Sequence, residues 1–227
     1  DLNNDGNPDI AIGAPNYPGP GGRTGAVFVY YGTGAGLGTT PTVIPGELDG
    51  SWFGYSVGRA GDVNGDGYED LVVGAVYASH PAEWEGRAYL YLGSASGIAT
   101  TPAWAVDSDN LGAGLGNAVG RAGDVNADGF DDVLVGAHPF DTSGVAPREG
   151  QGRAFLFFGS ATGLSPAAPW WITGRSVQAH LGRAVGFAGD VNHDGIDDMY
   201  VATLRYTGAQ FSEGRLEVFY GHVGTGP

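Results

Sequence analysis

An acidic nonapeptide with the pattern Asp-x-Asn-x-Asp-Gly-x-x-Asp occurs four times in this chain of 227 residues. The copies begin at residues 1, 62, 124 and 190, which gives spacings of 61, 62 and 66 residues. Self-similarity at a nearly fixed period is typical of proteins in which each repeat is one small supersecondary unit. The nonapeptide therefore predicts a ligand for its acidic side chains and a repetitive architecture.

The side chains of the nonapeptide suit a hard cation. Ca²⁺ takes about six to eight oxygen ligands from carboxylates, amides, backbone carbonyls and water. Positions 1, 3 and 5 can direct side-chain oxygens to one point, the glycine at position 6 permits the sharp turn, and the Asp at position 9 would close the shell. With the backbone carbonyl of position 7, we predict about four calcium sites, formed by Asp1, Asn3, Asp5, Asn7 and Asp9; Asp62, Asn64, Asp66, Tyr68 and Asp70; Asp124, Asn126, Asp128, Phe130 and Asp132; and Asp190, Asn192, Asp194, Ile196 and Asp198.

The residues after each nonapeptide distinguish these loops from EF-hands. An EF-hand places a bidentate Glu at position 12 and continues into a helix. Here position 12 is apolar, and short β-branched segments typical of strands follow it: Ile12, Val73, Val135 and Val201 occupy the position. A solvated turn would explain one such loop, but four loops in phase favour a metal, and we interpret that metal mainly as a structural clip.

Composition narrows the functional classes. The formal net charge is −15, and all ten basic residues are Arg, so no basic stripe is present to neutralise nucleic-acid phosphates. Cysteine is absent, which excludes disulfides and thiolate metal sites. No apolar run approaches the roughly 20 residues needed to cross a bilayer.

We expect a protein that is secreted or at the cell surface, because weak calcium sites suit a calcium-rich compartment. The sequence begins at Asp1 without Met, so we also expect a mature product or a fragment.

Other landmarks recur in phase with the acidic loops. Each full repeat contains four short strand-like segments separated by glycine-rich turns, and no segment has helical periodicity. We therefore predict an all-β chain that forms a single β-propeller, or part of one, across residues 1–227, with four-stranded antiparallel blades. The repeats are expected at approximately 1–50, 51–112, 113–178 and 179–227.

The order of motifs resembles a known family. Phe53 and Gly54 precede an acidic loop, and Gly13, Ala14 and Pro15 follow one. This order is similar to the FG-GAP repeat of the integrin α-subunit propeller and of bacterial secreted proteins. The resemblance implies that the acidic loop joins the first and second strands of each blade. It also implies that the loops after the second and fourth strands form the ligand-facing surface. The chain departs from the pattern at Leu115, Leu181, Val76, His138 and the segment 202–204.

The number of strands does not complete a ring. The sequence predicts about four blades of three, four, four and three strands, incomplete at both ends, whereas the integrin-type propeller has seven blades. Two explanations remain open. The chain is either a fragment of a longer propeller or half of a homodimer that completes one ring, because the ends of an open array would expose apolar faces.

Residues that do not recur in phase are the candidates for ligand binding. They lie in the loops after the second strands, and the selected set is Trp84, His80, His138, Arg148 and Tyr206. In-phase Arg87, Arg153 and Arg215 are instead expected to pair with carboxylates of a neighbouring blade. The histidines show no ligand spacing and no nucleophile elbow is present, so we expect no enzymatic activity.

The predicted function is a calcium-stabilised extracellular binding or adhesion module whose ligand is a protein or a glycan. A carbohydrate-binding lectin and an accessory propeller domain of a larger secreted hydrolase are the alternatives.

Overall fold

The computed structural model describes residues 1–19, 22–138, 150–176, 178–206, 213–224 and 226–227. Within these ranges all regular structure is β-strand, and no helix long and apolar enough to cross a membrane is found there. The first sheet contains β1 (Ile10–Ala14), β2 (Ala26–Tyr30) and β5 (Thr42–Pro45), and a short hairpin of β3 (Gly32–Thr33) and β4 (Gly36–Leu37) accompanies it.

The next two sheets each have four antiparallel strands in chain order. The second contains β6 (Phe53–Gly61), β7 (Asp70–Ala75), β8 (Arg87–Tyr91) and β9 (Trp104–Asp107). The third contains β10 (Leu115–Gly123), β11 (Asp132–Ala137), β12 (Arg153–Phe157) and β13 (Trp170–Thr173). The fourth sheet has three strands, β14 (Leu181–Gly189), β15 (Asp198–Thr203) and β16 (Arg215–Phe219). This confirms the prediction of an all-β chain built from propeller blades with three, four, four and three strands.

The second strand of each full sheet lies between two neighbouring sheets. Every residue of β7 and of β11 is buried, which explains why these strands are continuous apolar runs rather than alternating ones. Separate apolar clusters fill the three spaces between successive sheets. Glycines allow the close approach, since a Cβ on Gly74 would overlap the carbonyl oxygen of Gly116 in the next sheet.

The two end sheets expose apolar residues that are buried elsewhere in the array. Ile12 of β1 is 50% exposed, whereas its counterpart Val73 in β7 is fully buried. At the other end, Val218 of β16 is 41% exposed, whereas its counterpart Leu156 in β12 is fully buried. The outer faces of the first and fourth sheets are thus of the same type as the faces that pack between sheets.

The prediction that the in-phase arginines pair with a neighbouring blade is wrong for two of them. The Nε of Arg87 lies 3.5 Å from Oδ1 of Asp107, which is in the same sheet. Arg215 pairs with Glu217 of its own strand at 2.9 Å. The strand register explains the first pair, because Arg87 is directly opposite Asp107 in the ladder between β8 and β9.

Candidate functional site

The acidic loops connect the first and second strands of their sheets. In the second sheet β6 ends at Gly61 and β7 begins at Asp70, so the nonapeptide forms nearly the whole connection. The glycine at position 6 has a positive φ in all four loops, between 85° and 92°. That conformation is readily available to glycine and lets the chain reverse within the nonapeptide.

The carboxylate at position 1 organises the loop backbone. In the second loop, Oδ1 of Asp62 accepts the N–H of Asp66 at 3.0 Å and Oδ2 accepts the N–H of Gly67 at 2.8 Å. The carboxylates of Asp1, Asp124 and Asp190 make the same two contacts in their own loops. The position 1 side chain is therefore directed to the inside of the turn in every copy.

Positions 3 and 5 converge on each other. The Oδ1 of Asn64 accepts the N–H of Asp66 at 3.2 Å, and the amide of Asn64 donates to Oδ2 of Asp66 at 2.9 Å. The Oδ1 of Asp66 in turn accepts the N–H of Tyr68 at 3.0 Å. The other three loops repeat these contacts, so all four turns bring the oxygens of positions 1, 3 and 5 to one side of a single turn.

The Asp at position 9 joins its loop to the sheet. In the third repeat, Oδ2 of Asp132 accepts the N–H of Val125 at 3.0 Å, and Oδ1 accepts the N–H of Gly159 at 2.9 Å. Asp9, Asp70 and Asp198 make the equivalent pairs of contacts. The structure thus gives this carboxylate an anchoring role, and its role as a metal ligand stays a prediction.

Burial has a large electrostatic effect at position 9. Asp70 and Asp132 are fully buried, and this burial raises the pKa of Asp70 to about 7 and that of Asp132 to about 8. The carboxylates at positions 1 and 5 of the same loops raise these pKa values further. A cation in the loop would offset this accumulation of negative charge.

Sequence reasoning missed the role of position 8, which links neighbouring loops. The Oδ2 of Asp131 accepts the N–H of Asp62 in the preceding loop, and the Oδ2 of Asp197 accepts the N–H of Asp124 in the same way at 3.0 Å. Arg121 lies between these acids, with its Nε 2.8 Å from Asp131 and its Nη2 3.6 Å from Asp197. An acidic residue at position 8 in three of the four copies was the available signal.

The donor chemistry of positions 1, 3 and 5 fits a hard divalent cation. In the part of the chain that the structure describes, no group of three or more His or acidic side chains is arranged to hold a metal. A metal in these loops therefore requires the Asn amide and backbone carbonyls in addition to carboxylates, as Ca²⁺ permits. Each ionised carboxylate has about four lone-pair positions, so acceptance of two N–H groups leaves capacity for a cation.

The loops after the second and fourth strands lie at the opposite ends of the strands from the acidic loops, because successive strands are antiparallel. The connection from β7 to β8 contains both Trp84, which is 50% exposed, and His80. The His80 side chain is 58% exposed, and its Nδ1 lies 3.5 Å from Oδ2 of Asp107. These two predicted ligand-binding residues therefore share one loop.

The structure places His138 and Tyr206, two further predicted ligand-binding residues, in loops of other sheets. His138 is half-buried, packs edge-on against the ring of His180 at 5.4 Å and has a pKa that burial lowers to about 4. Tyr206 is half-buried, with the guanidinium of Arg215 4.8 Å from its ring centroid. Arg148 lies outside the described residues.

Trp84 has aromatic neighbours that sequence reasoning did not select. Trp52 from the β5–β6 connection and Tyr77 from the β7–β8 connection line the same open cavity as Trp84. The rings of Trp52 and Tyr77 meet edge-to-face, with centroids 4.8 Å apart. Trp52 was not selected because it directly precedes Phe53, which recurs in phase. Trp52 itself does not recur, since the equivalent residues in the next repeats are Gly114 and His180.

Comparisons with known proteins agree with the repeat pattern. Residues 1–73 match the family model described as FG-GAP-like repeat, and residues 116–157 match the model described as FG-GAP repeat. Integrin alpha-6 of Gallus gallus is 38% identical over 140 residues, which is 60% of this chain and 12% of that protein. Integrin alpha pat-2 of Caenorhabditis briggsae is 32% identical over 154 residues, with the same two shares. Integrin alpha-IIb of Mus musculus is 39% identical over 127 residues, or 53% of this chain and 12% of that protein. The matched region thus spans about an eighth of the length of these relatives.

Proposed function

Because this chain is an FG-GAP repeat protein that resembles the integrin α subunit, we propose that it is a calcium-stabilised extracellular binding module. The observation that carries the proposal is the fourfold recurrence of one loop geometry. Each acidic loop directs the oxygens of positions 1, 3 and 5 to one side of a turn and anchors the turn to its sheet. The loop face at the opposite ends of the strands is left free to vary.

Calcium would act in this protein as a structural clip. The side chains that would hold it in the second loop are Asp62, Asn64 and Asp66, with the carbonyl of Tyr68 and, if it rearranges, Asp70. The bound ion would supply positive charge that offsets the repulsion among the loop carboxylates. Since Asp131 connects the third loop to the second, stabilisation of one loop also supports the contact between sheets.

Ligand recognition is assigned to the loops after the second and fourth strands. These loops differ between repeats, whereas the acidic loops do not, and they contain Trp84, His80, His138 and Tyr206. We propose a protein or a glycan as the ligand and a secreted or cell-surface location. The similarity to integrin α subunits and the affinity range of such calcium sites in extracellular modules support both parts.

The exposed faces of the end sheets support association with further blades. Ile12 and Val218 lie on faces whose counterparts are buried between sheets. The blades that cover them belong either to a second copy of this chain or to the rest of a longer polypeptide. Multi-angle light scattering of the isolated chain is expected to show a species larger than 23.2 kDa. A monomer of 23.2 kDa that unfolds cooperatively would contradict this association.

A binding screen tests the proposed function. The chain is immobilised and exposed to purified extracellular-matrix proteins and to a glycan array, in calcium and in EDTA. We expect at least one ligand to bind in calcium and to bind more weakly after chelation. The absence of any bound ligand from a protein that is folded and calcium-loaded would contradict a role in adhesion.

A further inference from the structure

We propose that Trp52, Tyr77 and Trp84 form a carbohydrate-binding site, the aromatic cup, that stacks against the ring of a neutral sugar. The inference rests on the proposed function, because it assigns a ligand class to the loops after the second and fourth strands. The three side chains and Gly50 line an open cavity of about 390 Å³. That volume lies within the range of small-ligand sites, and a single sugar residue fits within it.

Two rings of the cup are exposed, and the third, that of Trp52, is half-buried and packed against tyrosines. Tyr77 is 43% exposed and Trp84 is 50% exposed. The ring of Trp52 lies between two tyrosines, with its centroid 4.8 Å from that of Tyr77 and 6.1 Å from that of Tyr55. An aromatic surface fixed in this way offers apolar contact area without the ordering of flexible side chains on binding.

The backbone indicates that these tryptophans are not required by the fold. Trp52 and Trp84 have φ angles of 57° and 54°, in the left-handed region that bulky residues disfavour. In the next repeat the equivalent positions are Gly114 and Gly150, with φ angles of 60° and 59°. The equivalence is fixed by matching contacts, since Trp84 O accepts the N–H of Gly114 and Gly150 O accepts the N–H of His180.

The conformation of Trp84 is therefore built from glycine in the next repeat, whereas the position of Trp52 holds Gly114 in the third repeat and His180, with a φ of 54°, in the fourth. Backbone strain retained at a surface position where glycine would relieve it is typical of functional sites. Since half of the Trp84 side chain is exposed, burial in the core does not explain the choice of tryptophan.

The surroundings of the cup favour a neutral polyhydroxyl ligand over a cation. Glu83 and Asp49 are exposed and directly precede Trp84 and Gly50 in the chain. Arg23 donates its backbone N–H to Oδ1 of Asp49 at 2.8 Å, which brings a cationic residue to the same region. None of the described residues that line the cavity is charged, whereas an aromatic cage for a cation would gain from acidic side chains in its lining.

Titrations of the full chain in calcium test the aromatic cup. The probes are the methyl glycosides of glucose, galactose, mannose and N-acetylglucosamine, with tetramethylammonium chloride and N-acetylarginine amide as cationic probes. Tryptophan fluorescence and calorimetry report binding. We expect saturable binding of at least one glycoside, and no binding of the cationic probes. Binding of neither class, or preferential binding of the cations, would overturn the proposal.

Substitutions separate binding from folding. Trp84→Gly reproduces the residue found at Gly150, so it should weaken glycoside binding by about tenfold or more while leaving thermal stability unchanged or higher. Trp171→Ala is the matched control, because Trp171 is 55% exposed on β13 and does not line the cup. It should leave binding unchanged. Unchanged affinity in Trp84→Gly, or an equal loss in Trp171→Ala, would overturn the proposal.

Calcium-dependent stabilisation is measured on the same samples. A protein that is stabilised by calcium and binds a matrix protein, yet binds no glycoside, would overturn the aromatic cup alone. A protein that binds a glycoside but does not respond to calcium would contradict the proposed function and leave the cup intact.

Discussion

The carboxylate of Asp131 accepts the backbone N–H of Asp62 at 2.8 Å, which links acidic loops that belong to two successive sheets. The side chain of Asp131 is 15% exposed, and its other oxygen accepts a hydrogen bond from Arg121. The acidic nonapeptide is therefore a connection between blades as well as a candidate cation site. A cation bound in one of these loops would therefore be coupled to the packing between blades through this contact.

The link between loops can be tested by removing the carboxylate. Asp131→Ala should lower the free energy of unfolding by about 1–3 kcal/mol, because it leaves a partly buried N–H without its acceptor. Glu69→Ala is the matched control at the same loop position, where the acid pairs with Arg59, whose side chain is 64% exposed. Such surface pairs contribute about 0–1 kcal/mol. Urea unfolding compares the two variants, and equal losses would rule out the link.

The anchoring role of position 9 predicts a difference between repeats. Asp132→Ala leaves the N–H groups of Val125 and Gly159 unsatisfied in a buried setting, and we expect a loss of about 2–4 kcal/mol in EDTA. Asp9→Ala removes the same kind of contacts where the carboxylate is half-exposed, so water should replace part of them. Urea unfolding measures both losses. A larger loss for Asp9→Ala would show that anchoring does not depend on burial.

Close packing between the second and third sheets requires glycine at position 74. Gly74→Ala should destabilise the chain by about 2–3 kcal/mol, since the added Cβ overlaps the carbonyl oxygen of Gly116. In Gly120→Ala the nearest atom to the added Cβ is the Val185 carbonyl oxygen at 3.6 Å, so stability should change by less than about 1 kcal/mol. Thermal unfolding distinguishes them, and tolerance of Gly74→Ala would contradict the described packing.

The low pKa of His138 predicts a pH dependence of stability. Burial, with smaller effects from Arg183 and His180, lowers the pKa of His138 to about 4 from an ordinary value of about 6.5. Between these pH values the unfolded chain binds a proton that the folded chain does not. The stability that the neutral His138 side chain contributes is therefore present above pH 6.5 and is lost as the pH falls towards 4.

Unfolding curves recorded across this pH range for His138→Asn measure the effect. The variant should show a smaller loss of stability on acidification than the unchanged chain. His222→Asn replaces an exposed histidine and is the control, which should follow the unchanged chain. Identical profiles for His138→Asn and the unchanged chain would contradict the assignment.

Features that form within one repeat could be predicted from the sequence. The contacts of Asp62, Asn64 and Asp66 form inside nine residues, so the spacing of the side chains predicts their convergence. The fully buried strands β7 and β11 were also predictable, because a continuous β-branched run is the pattern of a strand packed on both faces.

Features formed between distant segments could not be read from spacing. The partner of Asp131 is 69 residues away in the chain, and its identity depends on how two sheets pack. Trp52 and Trp84 come from two different connections, and their common cavity depends on the pairing of β6 with β7, which places Phe53 opposite Ala75. Arg87 was assigned to the wrong partner for the same reason, since strand pairing places it opposite Asp107.

The most direct test of the central claim is thermal unfolding with calcium removed and then restored. If the acidic loops bind calcium as structural clips, EDTA should lower the melting temperature by several degrees or more. Excess Ca²⁺ should then restore the original value. Asp66→Ala should reduce the size of this response, because it removes one loop's central carboxylate. A melting curve that is unchanged by EDTA and by added Ca²⁺ would contradict calcium stabilisation.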